Sequence, residues 1–324
     1  MNVGRRRYLA LRVAQVLPTA AGIVLVGFAL LHLAPGDPVL ALAGDSGDEA
    51  YYARVRERFG LDRPLPVQLA AYARAVASGD LGTSFVQGRP VLELILERLP
   101  ATLLLAGTAL LLSTAVGLLL GVGAAVRRGR PTDRLLTSVT LALYAAPVFW
   151  VGQLAILGFS LGLGWFPVQG MTDPRRTLTG WAAAVDVAHH LALPAAVLAS
   201  QQLAAVARLT RAGLVDELRS DHVRTARAKG VREPVVVVRH ALRRPMLPVL
   251  TVIGGRVGHL VAGTVIVETV FGWPGIGRLL LGAIQARDIP VVLGVFLMVG
   301  FTVALANLVT DLSYARLDPR VRYR

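Results

Sequence analysis

The sequence contains no cysteine and a single lysine, Lys229. Without cysteine, the chain cannot form disulfide bonds, thiolate metal sites or a thiol nucleophile. A phosphate-binding loop of the G-x-x-x-x-G-K-[ST] type needs a lysine directly after a glycine, and Ala228 precedes Lys229 here. A nucleotide-hydrolysing site of that type is therefore excluded from this chain.

Charge is also nearly missing from six long apolar runs. The chain has 324 residues, of which 54% are apolar, and only Arg256 places a charge inside a run. Runs of roughly 20 residues are long enough to cross about 30 Å of hydrocarbon as helices. They lack the alternation typical of barrel strands. We therefore expect an all-α polytopic membrane protein with six transmembrane helices, and no soluble domain. The predicted helices are Val13–Leu33, Leu99–Val126, Leu135–Leu161, Val187–Ala207, Met246–Val267 and Ile289–Thr310.

The basic residues are unevenly shared between the two sides that these helices define. Twenty-two lie in segments 1–12, 127–134, 208–245 and 311–324, and eleven lie in segments 34–98, 162–186 and 268–288. Cytoplasmic loops of membrane proteins carry such an excess of Lys and Arg. We expect both termini to be cytoplasmic, and we read the net charge of +14 as a topology signal, in preference to nucleic-acid binding.

The N-terminus has some features of a secretory signal peptide. Basic residues at Arg5–Arg7 precede an apolar stretch, and Ala41-Leu42-Ala43 resembles a cleavage site. However, the stretch exceeds the roughly 7–15 residues of a signal peptide's apolar region. Pro35 and Pro38 also intervene. We expect an uncleaved first membrane helix.

The helix and loop pattern divides the chain into three segments. Residues 1–34 form a cytoplasmic tail and the first helix, and residues 35–98 form an external cap. Residues 99–324 form a five-helix transmembrane core that carries a cytoplasmic loop at 208–245. Within the cap, apolar periodicity predicts short helices at Tyr51–Phe59 and Pro66–Val76. A connection rich in glycine follows, with Gly79, Gly82 and Gly88.

A short amphipathic helix is predicted in the cytoplasmic loop, at His222–Lys229. Ser220 or Asp221 can cap its start, and Gly230 can end it because glycine adopts left-handed conformations at little cost. Three small residues share one face: Val223, Ala226 and Gly230. So short a helix is unstable alone, so it must pack on the chain's own helices or on a partner. A solvated positive-inside loop with an incidental helical turn is the alternative.

This loop resembles the coupling loop of the membrane subunits of ATP-binding-cassette (ABC) importers. The form is close to that of permeases for dipeptides, oligopeptides and nickel. The resemblance extends over nearly the whole chain, in the expected order. The matching motifs are Leu33-Ala34-Pro35-Gly36-Asp37-Pro38, Gly79-Asp80-Leu81-Gly82 with Ser84, Glu97-Arg98-Leu99-Pro100-Ala101-Thr102, Thr225-Ala226-Arg227-Ala228-Lys229-Gly230, Arg239-His240-Ala241-Leu242-Arg243 with Leu247-Pro248, Glu268-Thr269-Val270-Phe271-Gly272-Trp273-Pro274-Gly275, and Leu317-Asp318-Pro319-Arg320.

The resemblance implies the fold of a type I importer permease, a subunit without catalytic residues that imports peptides or, alternatively, nickel. It implies a second permease, two ABC ATPases and an external binding protein as partners, in the plasma (inner) membrane. ATP and Mg²⁺ would bind the ATPases, and this chain would hold no cofactor or metal. The implied ATPase-coupling residues are Asp221, His222, Val223, Arg224, Thr225, Ala226, Arg227, Ala228, Lys229 and Gly230. One departure is that Arg224-Thr225-Ala226 stands where the general importer motif begins with Glu-Ala-Ala, which the peptide branch tolerates.

Four residues are candidates for the translocation path or its gate. Arg256 lies inside the fifth run and His259 shares its face at i+3. A charge at that depth is costly unless it faces protein or water, so both could meet an anionic group of the solute. Arg256 could instead snorkel or pair with another subunit. Phe271 and Trp273 could form an outer gate or an interfacial anchor.

Two further patterns suggest other functions, and a third function lacks its expected pattern. The segment Gly158-Phe159-Ser160-Leu161-Gly162 matches the nucleophile motif of serine hydrolases. Ser160 and His259 could therefore be the catalytic residues of an intramembrane serine protease. His189-His190 could touch a metal, although adjacent helical residues point about 100° apart, and a hydrated helix end is the simpler reading. A secondary transporter would show paired intramembrane carboxylates or an inverted repeat. The sequence has neither.

Overall fold

The computed structural model describes residues 14–33, 39, 48–59, 61–246, 248–249, 253 and 264–317, and these residues are mostly helical. The expected all-α class is confirmed. Contacts divide the chain into two compact units. The first unit joins Met1–Thr102 to Pro274–Arg324, and the second is Leu103–Trp273.

Twelve helices are present in the described part of the chain. They are α1 Val16–Leu33, α2 Glu49–Phe59, α3 Leu65–Ala77, α4 Val91–Val126, α5 Pro131–Ala145, α6 Val148–Ala155, α7 Gly180–Glu217, α8 Asp221–Ala228, α9 Glu233–Val235, α10 at 264–270, α11 Ile276–Gln285 and α12 Ile289–Leu317. A π-helical segment, Ile156–Gly162, extends α6, and another, Val236–Ala241, extends α9.

Within the residues that the structure describes, four helices are long and apolar enough to cross a membrane: α1, α4, α7 and the part of α12 that ends at Val309. They contain the first, second, fourth and sixth predicted runs. The fifth run, Met246–Val267, falls mostly outside the described residues. The third run, Leu135–Leu161, is a bent pair, because α5 and the segment Val148–Gly162 meet at 106°. The expectation of one continuous helix over this run is therefore wrong.

Proline explains this break. Pro147 has no N–H to donate to the carbonyl of Leu143, and a proline disfavours helical geometry at the preceding residue. Ala146 accordingly is extended, with φ −75° and ψ 135°. The side-chain amide of Gln201, on α7, donates to the carbonyls of Leu143 at 3.4 Å and Ala146 at 3.2 Å. The polar groups freed by the break are thus satisfied from a neighbouring helix.

The first unit is built on the pairing of α1 with α12. A Cβ placed on Gly300 would lie 2.9 Å from Cγ2 of Ile23, so the missing side chain lets the two backbones approach closely. The cap helices are confirmed within one or two residues as α2 and α3. His32 of α1 contacts Gln68 of α3 at 2.9 Å, and Phe28 packs on Tyr72 with ring centroids 5.9 Å apart.

The second unit is organised around α7. On α4, Gly117 and Gly121 are spaced by four residues and face this helix. A Cβ on Gly117 would lie 2.8 Å from Cβ of Val206, and one on Gly121 would lie 2.6 Å from the carbonyl oxygen of Ala207. This is the small-xxx-small packing that brings membrane helices into close contact. It fixes α4 against the helix that leads into the 208–245 loop.

Candidate functional site

The helix α8 forms where the sequence predicts it, one residue earlier at each end. Its end at Gly230 has φ +75°, a left-handed conformation that favours glycine. The Gly230 N–H donates to Arg227 O at 2.9 Å and the Val231 N–H to Ala226 O at 3.3 Å. This pair of bonds is the Schellman arrangement that satisfies the last carbonyls of a helix.

The start of α8 differs slightly from the expected capping. Ser220 occupies the N-cap position, but its hydroxyl makes no cap hydrogen bond. The hydroxyl instead lies 2.6 Å from the carbonyl oxygen of Glu217 and 3.0 Å from Nδ1 of His222. Ser220 therefore links the end of α7 to the first turn of α8.

The inner face of α8 packs on the chain itself. Val223 and Ala226 are buried in one apolar cluster with Leu214 of α7 and with Val236 and Ala241 of the π-helical segment. The order of α8 thus comes from its own polypeptide, which decides between the two possibilities left open by the sequence. Gly230, which helical spacing placed on the same face, is exposed instead, because it lies beyond the helix end.

The outer face of α8 is exposed and mostly polar. The Asp221 and Arg224 side chains are 99% and 74% exposed, and their ion pair at 3.5 Å is a weak surface contact. Thr225, Ala228 and Lys229 are also exposed. We call the five residues Asp221, Arg224, Thr225, Ala228 and Lys229 the outer face of α8.

Two carboxylates hold the loop around α8 in place. Arg227 donates to both oxygens of Glu233, at 3.1 and 2.6 Å, across the Gly230 turn. This hydrogen-bonded guanidinium lowers the pKa of the Glu233 carboxyl and raises the pKa of Arg227. Glu217, at the end of α7, lies 3.2 Å from His222 and 3.1 Å from Arg244. The helix is therefore held by polar side-chain contacts on both of its flanks.

A further ion pair ties the short 127–134 loop to α7. Arg211 donates from Nε and Nη2 to the two oxygens of Asp133, each at 2.7 Å. Gly129 N–H adds a third bond to Asp133 at 2.9 Å. Asp133 is 4% exposed, so the bidentate arginine compensates the burial of its charge. Both predicted cytoplasmic loops of the second unit are thus anchored on α7.

The aromatic cluster forms a buried turn, as its Gly and Pro predict. Gly272 has φ +59°, and Trp273 N–H donates to Glu268 O at 2.8 Å, which ends α10. Phe271 and Trp273 are only 1% and 0% exposed. Burial leaves no ring surface for a headgroup, so the interfacial-anchor interpretation is wrong. The other two path candidates, Arg256 and His259, lie outside the described residues.

Motifs that are far apart in sequence meet in the first unit. The Thr102 hydroxyl, fully buried, accepts the Ile276 N–H at 2.8 Å and so supports the first turn of α11. The Ser84 hydroxyl donates to Asp288 at 2.5 Å. The first contact joins the 97–102 motif to the first residue of α11, and the second joins the 79–84 motif to the residues that follow α11.

The competing sites lack their required geometry. Ser160 lies inside the π-helical segment, where its hydroxyl donates to Pro167 O at 3.2 Å, whereas a nucleophile elbow needs a strand-to-helix turn. His189 contacts Trp165 O and His190 contacts Asp186 O, both at 2.8 Å. The two imidazoles therefore point to different partners. His190 is buried, whereas the sequence analysis expected a hydrated helix end.

Several functional candidates were missed at the sequence level. Glu217, Glu233 and the Asp133–Arg211 pair carry no local motif, and their partners lie up to 78 residues away. Asp288 immediately precedes the sixth apolar run, and no motif in the sequence marks it. The Arg227–Glu233 ion pair could have been suggested by the opposite charges on the two sides of Gly230, which are six residues apart.

Comparisons with known proteins agree with one another. A family model described as "Binding-protein-dependent transport system inner membrane component" matches residues 117–323, and the corresponding N-terminal model matches residues 6–106. A di/tripeptide transport system permease protein, DppB, of Pseudomonas aeruginosa is 42% identical over 332 residues, which cover 98% of this chain and 99% of the relative.

Two more relatives have similar coverage. The dipeptide transport system permease protein DppB of Escherichia coli K12 is 40% identical over 98% of this chain and 99% of its own length. The glutathione transport system permease protein GsiC of Salmonella paratyphi A is 39% identical over the same shares.

Proposed function

Because this chain belongs to the family of inner membrane components of binding-protein-dependent transport systems, we propose that it is a permease subunit that imports short peptides. The single observation that carries its coupling role is the outer face of α8, which is exposed while the inner face is fixed by its own chain. An ATPase subunit binds that face. The chain is a transport subunit and not an enzyme.

The proposed topology has six membrane helices with both termini in the cytoplasm. The basic residues of segments 127–134 and 208–245 support this orientation. Residues 35–98 form the external cap, and residues 99–324 form the core. The protein resides in the plasma (inner) membrane as a multi-pass component.

The proposed assembly has two homologous permeases, two ABC ATPases and one external binding protein. ATP and Mg²⁺ bind to the ATPases, since the one lysine of this chain cannot belong to a phosphate-binding loop. Closure of the ATPase pair displaces α8. The displacement reaches α7 through Val223 and Ala226, which pack on Leu214.

Short peptides are the proposed solutes. The similar permeases are named for di/tripeptides, dipeptides and glutathione, and glutathione is itself a small peptide. These names favour peptide over nickel. Arg256 and His259 are proposed to line the path beside the peptide carboxylate. Phe271 and Trp273, buried at the end of α10, are proposed to belong to the gate.

Reconstitution of the whole complex tests this function. Proteoliposomes that hold both permeases and both ATPases, with the external binding protein, should accumulate a radiolabelled dipeptide only when ATP is supplied. Vesicles that hold this permease alone should accumulate none. Dipeptide uptake by the permease alone, or ATP-driven uptake of nickel but not dipeptide, would contradict the proposal.

A further inference from the structure

A cavity of about 500 Å³ opens in the first unit, away from the loop that carries α8 in sequence. Its volume lies within the range of small-molecule sites. Its walls come from the 86–87 segment, the start of α4, one side of α11 and the start of α12. The polar residues of the wall are Gln87, Arg98, Arg278 and Asp288.

Asp288 is the buried member of this wall. It is 2% exposed, and its Oδ2 accepts hydrogen bonds from the Ser84 hydroxyl at 2.5 Å and the Val86 N–H at 3.4 Å. Among the residues that the structure describes, Oδ1 has no hydrogen-bond partner. A buried carboxylate oxygen without a donor is costly, so this atom is suited to a donor supplied by a ligand.

The backbone holds Asp288 in this position at some cost. Arg287 has φ +56°, a left-handed conformation that is unusual for a residue with a side chain. The Arg287 N–H donates to Ile284 O at 3.2 Å and the Asp288 N–H to Ala283 O at 2.8 Å, which turns the chain sharply after α11. Asp288 is thus fixed by its side chain on one side and its backbone on the other.

The opposite charge is supplied by two arginines. Arg98 is half-buried at the start of α4, and Arg278 is exposed on α11. Both arginines line the same cavity as Asp288. Guanidinium groups bind carboxylates with paired hydrogen bonds. An inorganic cation would be repelled by two arginines, and a simple anion would gain nothing from Asp288, whereas a zwitterion matches both charges.

We propose that this cavity binds the two charged ends of a short peptide, with its ammonium group on Asp288 Oδ1 and its carboxylate on Arg98 and Arg278. This inference rests on the proposed peptide import and names the part of the chain that recognises the solute. A phosphatidylethanolamine headgroup carries the same pair of charges and is a second source of this chemistry. Binding is therefore measured in a membrane that lacks this lipid.

Peptide end groups test the proposal directly. The assembled complex of permeases and ATPases is placed in nanodiscs of phosphatidylcholine and phosphatidylglycerol, without the binding protein, whose preferences then do not enter. Binding of radiolabelled Ala-Ala, N-acetyl-Ala-Ala and Ala-Ala amide is measured. The variants are D288N and R278Q, and R287Q is the matched control, since Arg287 is exposed beside Asp288 but does not line the cavity.

The wild-type complex should prefer free Ala-Ala over both blocked peptides. D288N should reduce the preference over N-acetyl-Ala-Ala by about tenfold, because a buried charged hydrogen bond is lost. R278Q should reduce the preference over the amide by about threefold, since its contact is exposed. R287Q should change neither preference.

An equal loss of affinity for all three peptides in D288N would indicate a structural role and would overturn the proposal, as would unchanged preferences. ATP-driven dipeptide uptake by the same complex, assayed with the binding protein, distinguishes a failure of the cavity assignment from a failure of the proposed function. If uptake persists while D288N and R278Q leave the end-group preferences unchanged, only the cavity assignment fails. If wild-type uptake is absent, the proposed function fails with it.

Discussion

Arg227 and Glu233 lie on opposite sides of the Gly230 turn and are joined by two hydrogen bonds, at 3.1 and 2.6 Å. The pair closes the loop around the end of α8. Because it lies beside the outer face and does not belong to it, it can hold the helix without occupying the surface proposed for the ATPase. The position of α8 is therefore encoded by this chain before any partner binds.

The first prediction concerns the pH dependence of this pair. The pKa of Glu233 is lower in the folded loop than in an unfolded chain, so protonation weakens the pair. Protection of the α8 amides from hydrogen exchange, corrected for intrinsic rate, should be full above about pH 4.3, the ordinary glutamate value. It should fall as pH drops through the lowered pKa. In E233Q this step should be absent, and a wild-type step above the ordinary value would contradict the contact.

The second prediction uses the single lysine. Lys229 is exposed on the outer face of α8, so an amine-reactive ester should modify it readily in the isolated permease. In the assembled complex, the modification rate measured by peptide mass spectrometry should fall by about tenfold or more, because a bound ATPase covers it. A lysine introduced by R175K, on the exposed turn after α6, should react equally in both states. Equal reactivity of Lys229 would place the ATPase elsewhere.

The third prediction concerns the close contact of α4 with α7. A Cβ at Gly121 would meet the Ala207 carbonyl oxygen at 2.6 Å, whereas one at Gly107, on the same helix, meets nothing within 4 Å. G121A should destabilise the second unit by about 1–3 kcal/mol, since backbone must move. G107A should be neutral or slightly stabilising, because alanine favours a helix over glycine. Thermal unfolding in detergent compares them, and equal effects would refute this packing.

The fourth prediction concerns the bend between α5 and α6. Gln201 donates to the carbonyls of Leu143 and Ala146 that the Pro147 break exposes. Q201L should cost about 1–3 kcal/mol of stability, since it leaves two part-buried acceptors without this donor. Q202L, the adjacent amide, is the matched control and should cost much less. Similar losses in both variants would show that the bend does not depend on this side chain.

The sequence predicted much of the helical framework because membrane helices leave a strong local signal. Uncharged runs of sufficient length identified α1, α4, α7 and α12, and period and capping identified α2, α3 and α8. Each of these depends on residues within about one helix length. The bend at Pro147 was missed because the length of an apolar run does not show whether its helix is continuous or bent. The proline itself was visible in the sequence.

The candidate site was only partly predictable for the same reason. The residues of α8 were found through their motif, but which face packs inward depended on Leu214, Val236 and Ala241, which are remote from it in sequence. Asp288 meets Ser84 across 204 residues. Such a contact cannot be read from either segment alone, and its place in a cavity emerges only when α11 and α12 are folded together.

The central claim is that ATP hydrolysis drives this permease through the outer face of α8. Gly230 is a poor test position, because its left-handed φ would make any replacement distort the helix end. Ala228 is exposed and helical, so A228T and A228W can be compared in the reconstituted complex, with A228S as the small control.

The decisive measurement is dipeptide uptake together with substrate-stimulated ATP hydrolysis by the reconstituted A228W complex. We predict that A228W loses uptake and substrate-stimulated ATP hydrolysis together while the permease remains folded, and that A228S retains both. Full coupled uptake by A228W, with the tryptophan verified in the assembled complex, would contradict the account.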